Sequence, residues 1–349
     1  MKKKKISQQQ IAKDLGVSQT LVSMVLNGRK SGISKDSVKR IWEYAQANGY
    51  TPKGMQIDMS GSTDGSNIQT VGYILRSPLR LPTKSNFFSH VHQGMHEELS
   101  QNGVKTLFFG AEDDLNDEDY TQIAQSKGFL RGIVVLGQVA TSVIQAISKS
   151  NTAVVCISAR YSGLCHSVLP NETQAGERLV GHLYDQGHRS FGWIGGNKNM
   201  MRQTERYNAF TVSLKNRELS CADKDSITLA DADRQAGFDA AQAMLANRKK
   251  GRRPTALVCF NGLMARGAID YLLQNRITVG QDISVVAFDY TKVCEDSRPR
   301  ITCCGSSPEE MGATAARLII ESSSSTSGAY SELTLPTKFR ERGSSGPAS

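Results

Sequence analysis

Two short stretches near the start of the chain carry apolar residues at helical spacing. Ile11, Ala12 and Leu15 mark one face of the first, and Leu21, Val22, Val25 and Leu26 mark one face of the second. Ser7, with Gln10 three residues later, has the form of a capping box that starts a helix; Gly16 stops it, Val17 staples the turn, and Ser18 can cap the second helix. The pattern leaves Gln19, Thr20, Ser23 and Met24 on the outer face. A third amphipathic helix is expected after a basic, glycine-containing connection at 28–32. Ser34 is its candidate cap, Val38, Ile41, Trp42 and Ala45 form its apolar face, and Gly49 and Pro52 end it. Three helices in so short a segment bury little surface, so the module is expected to be marginal by itself.

From residue 68 the rhythm changes. Short apolar runs at 71–75, 106–109, 132–136, 153–157, 190–194, 255–259 and 284–288 alternate with amphipathic stretches at 87–101, 117–127, 141–148, 173–186, 202–215, 234–247 and 263–274. Such alternation predicts βαβ units, that is, parallel sheets with helices on both faces. The series is long enough for two sheets, and ligands of open parallel sheets sit at the carboxyl ends of the strands, so a cleft between two lobes is expected. Between the two regions, MSGSTDGSN at 59–67 has the composition of a flexible linker.

Composition alters this picture mainly through the position of charge. A content of 39% hydrophobic and 21% charged residues is ordinary for a globular chain of 349 residues, and that length allows two or three domains. Residues 1–58 hold eleven Lys and Arg against four Asp and Glu, a net +7 of the total +9, and the rest of the chain is close to neutral. The footprint for a polyanion therefore lies on the helical module. Amide and hydroxyl side chains at the exposed start of its second helix suit the reading of base edges in a major groove.

Other classes receive less support. The opening lysines precede Ile6, Ser7 and three Gln rather than an apolar run, so no export signal is expected, and nowhere do 18 apolar residues run together. Seven cysteines, an odd number without a Cys-x-x-Cys pair, predict reduced thiols in a cytoplasmic protein. His92 and His96 are four apart, but HQGMH lacks the glutamate of the zinc motif. Ser162, Ser190 and His188 have no G-x-S-x-G elbow beside them, and Gly195-Gly196 lacks the context of a nucleotide loop. No metal, cofactor or enzymatic constellation is expected.

The stretches QQIAKDLGVSQTLVSMVLNGR and ISKDSVKRIWEYAQANGYTP are followed in order by HLYDQGHRSFGWIGG, ERYNAF, TALVCFNGLMARGAIDYL, DISVVAFDY, ITCCGSSPEEMGATAARLI and LPTKFRERGSS. Over nearly the whole chain these resemble segments of the lactose repressor and galactose repressor family of bacterial transcription regulators. The resemblance implies a small all-α helix-turn-helix headpiece with hinge at 1–58 and a linker at 59–69. It further implies an α/β sensor of two doubly wound parallel-sheet lobes at 70–343, similar to periplasmic sugar-binding proteins and joined by three crossover strands. The first lobe would take 70–160 and 305–329, the second 161–304 and 330–343, with a tail at 344–349.

Roles follow position by position. Gln19, Thr20 and Met24 fall where the family reads bases, Met24 offering only an apolar contact such as one to a thymine methyl. Ser18, Asn27, Lys30 and Ser34 are expected on phosphates, and Ser7 and Ser23 complete the DNA-facing set. Met59 falls at the position of a hinge leucine that enters the minor groove. Gly54 and Asp58 depart from the family's hinge, since Gly costs about 1 kcal/mol within a helix and an acid faces phosphate repulsion. In the sensor, Arg206, Asn261 and Asp289 align with effector ligands, Ser306 with a further polar contact, and Asn86 and Phe87 with the start of the first lobe's helix near the ligand. Ala232 stands where the family often has an aromatic, and Gly262 replaces an acidic neighbour of Asn261.

The implied partners are double-stranded operator DNA, a sugar or sugar derivative, and a second copy of the chain in a homodimer or larger assembly. Two alternatives stay open. One is a corepressor-dependent regulator sensing a purine or a sugar phosphate. The other, from a different class, is a solute-binding protein, which predicts a signal peptide and no basic headpiece.

Overall fold

The computed structural model describes residues 7–26, 34, 37, 40–41, 44–45, 70–76, 87–125, 130–149, 152–246, 253–322 and 330–349. The chain divides into two units, Met1–Asn67 and Ile68–Ser349. Asn27, Lys30, Met59 and Asn86, together with Gly54 and Asp58, lie outside the described residues.

In the first unit, Gln8–Leu15 and Gln19–Leu26 are helices. The Ser7 hydroxyl accepts the Gln10 N–H at 3.1 Å, satisfying a donor that the first turn leaves free. The capping box closes on this side only. The Gln10 amide turns away and donates to Asp14 at 2.8 Å, because a carboxylate is the stronger acceptor. Gly16 closes the helix at φ 67°, in the left-handed region where a side chain would be strained. Ser18 then accepts the Leu21 N–H at 3.1 Å, and Ser34 accepts that of Ser37 at 3.2 Å. Ile11, Ala12, Val22, Val25, Leu26, Ile41 and Ala45 are buried together, with Val17 and Leu21 packed against them. The Tyr44 hydroxyl donates to Asp14 at 2.9 Å and fastens the rim of this small core.

Among the described residues the second unit has twelve strands: β1 (Thr70–Leu75), β2 (Lys105–Ala111), β3 (Leu130–Leu136), β4 (Ala153–Ile157), β5 (His166–Pro170) and β6 (Phe191–Gly195). They continue as β7 (Ser226–Thr228), β8 (Ala256–Cys259), β9 (Ser284–Phe288), β10 (Thr302–Gly305), β11 (Glu332–Leu335) and β12 (Lys338–Arg340). They form two six-stranded sheets, ordered β11-β5-β4-β3-β1-β2 and β12-β10-β9-β8-β6-β7. Every pair is parallel except β10 with β12. All residues of β6 and β9 are buried, which is why these strands read as unbroken apolar runs. Helices such as Phe87–Gln101 and Glu172–Asp185 supply the crossovers that parallel pairing requires.

The sheets redraw the expected lobe boundaries. Residues 166–170 and 332–335, assigned to the second lobe from sequence, are neighbouring strands of the first sheet, and Gly305 belongs to the second. HSVLP at 166–170 and ELTL at 332–335 mix polar with apolar residues and lack the unbroken apolar run that marks fully buried strands. The expected tail at 344–349 is an integral part of the second lobe. Ser344 is fully buried; its carbonyl accepts the Val285 N–H at 2.7 Å and its hydroxyl accepts that of Thr302 at 2.8 Å. Nε2 of the buried His188 donates to the Gly346 carbonyl at 3.0 Å. Backbone groups provide most of this attachment, and composition does not reveal them.

The chain passes between lobes three times: from β5 into the helix Glu172–Asp185, from β10 into the helix Pro308–Ser322, and from β11 into β12. Ser306 lies where these passages meet. Its hydroxyl donates to the Leu335 carbonyl at 2.8 Å and accepts the Asn171 N–H at 3.4 Å, and that N–H also reaches the Leu335 carbonyl at 3.1 Å.

Candidate functional site

The carboxyl ends of strands from both sheets open onto one cavity of about 220 Å³. From the first lobe it is lined by Arg76 after β1, Gly137 and Gln138 after β3, Ser158 after β4, and Phe87 and Phe88. The Phe87 ring sits beneath the Arg202 guanidinium at 4.5 Å and edge-on to Phe88 at 5.1 Å. This position is what the topology of open parallel sheets dictates.

The second lobe supplies the charge. Arg202 and Arg206 occupy successive turns of the helix Met201–Lys215. Their Nε atoms stand 3.0 and 2.9 Å from the same oxygen of Glu172, whose side chain is 5% exposed. Arg206 also donates through Nη1 to the Phe260 carbonyl and lies 4.8 Å above the Phe260 ring. Burial works to raise the Glu172 pKa, but the Arg206 and Arg202 guanidiniums outweigh it and hold the carboxyl below its ordinary value. Burial, then the charge of Arg206, pushes Arg202 down to about 10. Both helices that carry this triad pack within the second lobe, so the ion pair of Arg206 lies within that lobe and does not span the cleft.

Asn261 and Asp289 line the same cavity and also organise it. Asn261 caps the helix Gly262–Gln274, accepting the Met264 N–H at 2.8 Å and donating to the Ala232 carbonyl at 2.8 Å. Asp289 accepts the N–H of Gly262 at 2.8 Å through one oxygen and that of Tyr290 at 2.7 Å through the other. Each carboxylate oxygen keeps a lone pair for another donor. A Cβ on Gly262 would stand 2.8 Å from the Cys294 sulfur and 2.9 Å from the Asp289 carboxylate, so an acidic residue has no room there.

Phe87, Arg206, Asn261 and Asp289 are thus brought to one cavity, and Ser306 is not among its lining residues. The hydroxyl of Ser306 is taken up at the lobe passage. Arg76, Gln138, Arg202, Asp231 and Asp233 also line the cavity and were missed in the sequence. Arg76 and Gln138 are early polar residues beyond apolar strands, and Arg202 precedes Arg206 by one helical turn, so each carried a positional signal. Asp233 caps the helix Arg234–Leu245 by accepting the Ala236 N–H at 2.9 Å. Gln138 reaches across from the first lobe and accepts the Met201 N–H at 2.9 Å.

In the first unit, Gln19 and Thr20 begin the helix Gln19–Leu26 and are exposed, while Ser23 and Met24 are half-buried. Ser7, Ser18 and Ser34 are exposed, and each caps a turn. Neither of the first two helices has an acidic residue in its first turn, so nothing there repels a phosphate. The His92 and His96 rings stack at 6.1 Å, and among the described residues no three His, Cys, Asp or Glu converge as a metal site. Among the described residues no helix is long and apolar enough to cross a membrane.

Residues 1–45 match a family model described as helix-turn-helix, and residues 180–345 one described as a periplasmic binding protein-like domain. The chain is 23% identical over 314 residues to the HTH-type transcriptional repressor PurR of Aliivibrio salmonicida, which covers 89% of this chain and 90% of the relative. Its fold resembles that of the transcriptional regulator CelR in complex with cellobiose, with a TM-score of 0.68 at 19% identity over 97% of this chain and 99% of that one. It likewise resembles the lac repressor dimer bound to operator and the anti-inducer ONPF, with a TM-score of 0.68 at 20% identity over 98% of this chain and 100% of that one.

Proposed function

The chain belongs to the lactose repressor and galactose repressor family of bacterial transcription regulators, and on that basis we propose that it binds operator DNA with an affinity set by a small molecule in the cleft. One observation carries the reading: a helix that starts with exposed Gln19 and Thr20 and a polar cavity at the strand ends of two lobes occur in one chain. Gln19 and Thr20 pair with base edges, Met24 packs on an apolar base edge, and Ser7, Ser18, Ser23 and Ser34 contact the backbone. Asn27 and Lys30 join the phosphate contacts, and Met59 acts as a minor-groove wedge. The protein acts by binding and does not catalyse a reaction.

The ligand class is a sugar or sugar derivative. Asn261 and Asp289 offer acceptors and donors for neighbouring hydroxyls, Arg206 fixes the floor, and Phe87 provides a flat wall. Two copies of the chain present two headpieces to the half-sites of a palindromic operator. Ligand binding alters the angle between lobes across the three passages, so ligand and operator affinities change each other by the same factor.

The test starts by selecting bound duplexes from a random pool with the purified chain. Fluorescence anisotropy on the selected duplex then follows with and without a sugar panel. Sequence-selective binding that a sugar strengthens or weakens is the expected result. Equal binding to all duplexes, or an affinity that no cleft ligand moves, overturns the reading.

A further inference from the structure

We propose that the effector carries an anionic group, a phosphate or a carboxylate, and that Arg202 from one lobe and Arg76 from the other hold it. The inference rests on the cleft being the effector site, and it names the chemistry of the ligand there.

Charge balance is the first observation. Glu172 is one carboxylate facing two guanidiniums, both within 3.0 Å of a single oxygen. Arg206 completes its coordination with the Phe260 carbonyl, whereas Arg202 engages Glu172 through Nε alone. Among the described residues its two terminal nitrogens have no hydrogen-bond partner, and the side chain is only 16% exposed at the cavity wall. A buried guanidinium with open donors is costly unless an acceptor meets it.

A second guanidinium approaches from the opposite lobe. Arg76 lines the cavity beside Gly137, whose position for a Cβ is 3.2 Å from the Arg76 Cβ. Among the described residues the Arg76 side chain makes no hydrogen bond or ion pair, and burial lowers its pKa, with Glu112 working the other way. Gln138, the next residue after Gly137, accepts the Met201 N–H, and Arg202 follows Met201. The two arginines therefore line one cavity from opposite lobes, on either side of the contact between Gln138 and Met201, and guanidiniums so placed suit a phosphate or carboxylate.

The helix starts add a third point. Several helices begin at this cavity. Asp233 and Asn261 cap two of them, whereas Met200, which starts the helix of Arg202, offers no side-chain acceptor. Three aspartates line the cavity, Asp231, Asp233 and Asp289, and the charge of Asp289 reaches Arg202. Asp233 is turned to its helix start and Asp289 to the N–H groups of Gly262 and Tyr290. The cleft thus offers guanidiniums to an anion and carboxylate and amide groups to hydroxyls. An anion shared by Arg76 and Arg202 also joins the lobes, which ties its binding directly to their angle.

The test uses the full chain with hexose and pentose phosphates and sugar acids, each beside its neutral parent sugar, in thermal shift and calorimetry. At least one acidic member is expected to bind about 10- to 100-fold tighter than its parent, as a charge-assisted contact allows. Arg202→Gln loses that margin, Arg202→Lys keeps part of it, Arg76→Gln loses a smaller share, and added salt narrows it in the wild type. The phosphate and acid arms separate the two sources of negative charge. A parent sugar that binds as tightly as its acidic partner, an Arg202→Gln affinity within about twofold of wild type, or no binding by any acidic member overturns the inference. The Lys variant and a urea melt of each protein separate lost binding from lost folding. Anisotropy on the selected operator in the same samples keeps the two readings apart. An acidic ligand that binds but leaves operator affinity unmoved supports the anion site and overturns the regulatory reading. A neutral sugar that moves operator affinity at concentrations as low as any acidic member requires does the reverse.

Discussion

In the helix Gln19–Leu26 and in the cleft, polar side chains stand in opposite relations to the fold. Gln19 and Thr20 project into solvent, and the core beneath them is made by Val22, Val25 and Leu26. In the cleft, Arg206 completes a buried ion triad, Asn261 caps a helix, and Asp289 ties two loops. A contact residue of the helix can therefore change without disturbing what holds it. In the cleft the atoms that face a ligand also hold the walls, so specificity there evolves under a folding constraint.

Substitutions test this contrast. Glu172→Ala leaves two guanidiniums buried without their shared partner, and should lower unfolding free energy by about 3–5 kcal/mol in urea melts. A loss under about 1 kcal/mol would show that the triad is not a folding element. Asn261→Ala removes a helix cap at the cavity wall, for about 0.5–2 kcal/mol, and Asn261→Asp should restore the stability if the cap is the cause.

Proton linkage gives the next, more gradual effect. Burial lowers the His188 pKa from 6.5, with the Gly346 carbonyl opposing, and burial lowers His182 and His166 in the same direction. The folded state thus favours neutral imidazole, and the unfolded state binds more protons just below the unfolded value. Stability should be flat above about pH 6.5 and fall as pH drops through the lowered folded values. Glu172, also held low, adds its loss only in the acid range. Melting temperatures that stay level down to about pH 5 would contradict the burial of these rings. Smallest in folding terms is Gln19→Ala, expected within about 0.5 kcal/mol of wild type. Its effect should appear instead as about 1–3 kcal/mol of lost discrimination between operator variants, checked by anisotropy. Equal weakening on every duplex would make Gln19 a backbone contact.

Elements with a long helical periodicity or an unbroken apolar run were legible in the sequence. The helix Phe87–Gln101 and the strands β4 and β9 have the bounds that pattern predicts. Strands β5, β7, β10, β11 and β12 were not read, because polar or charged residues break their short apolar stretches. The site divides similarly. Arg202 and Arg76 were readable from their place at a strand end or one turn from Arg206. Glu172 was not, because an acid in the first turn of a helix is common at the surface, and only packing of Glu172–Asp185 against Met201–Lys215 buries it.

The hydroxyl of Ser306 has a mechanical consequence. Three polypeptide passages are pinned to one another at a single spot, through the Leu335 carbonyl and the Asn171 N–H. Bending along that line leaves the pins intact, whereas sliding or twisting would pull them apart. The three contacts resist sliding between the lobes and leave rotation about their own line as the least costly relative motion.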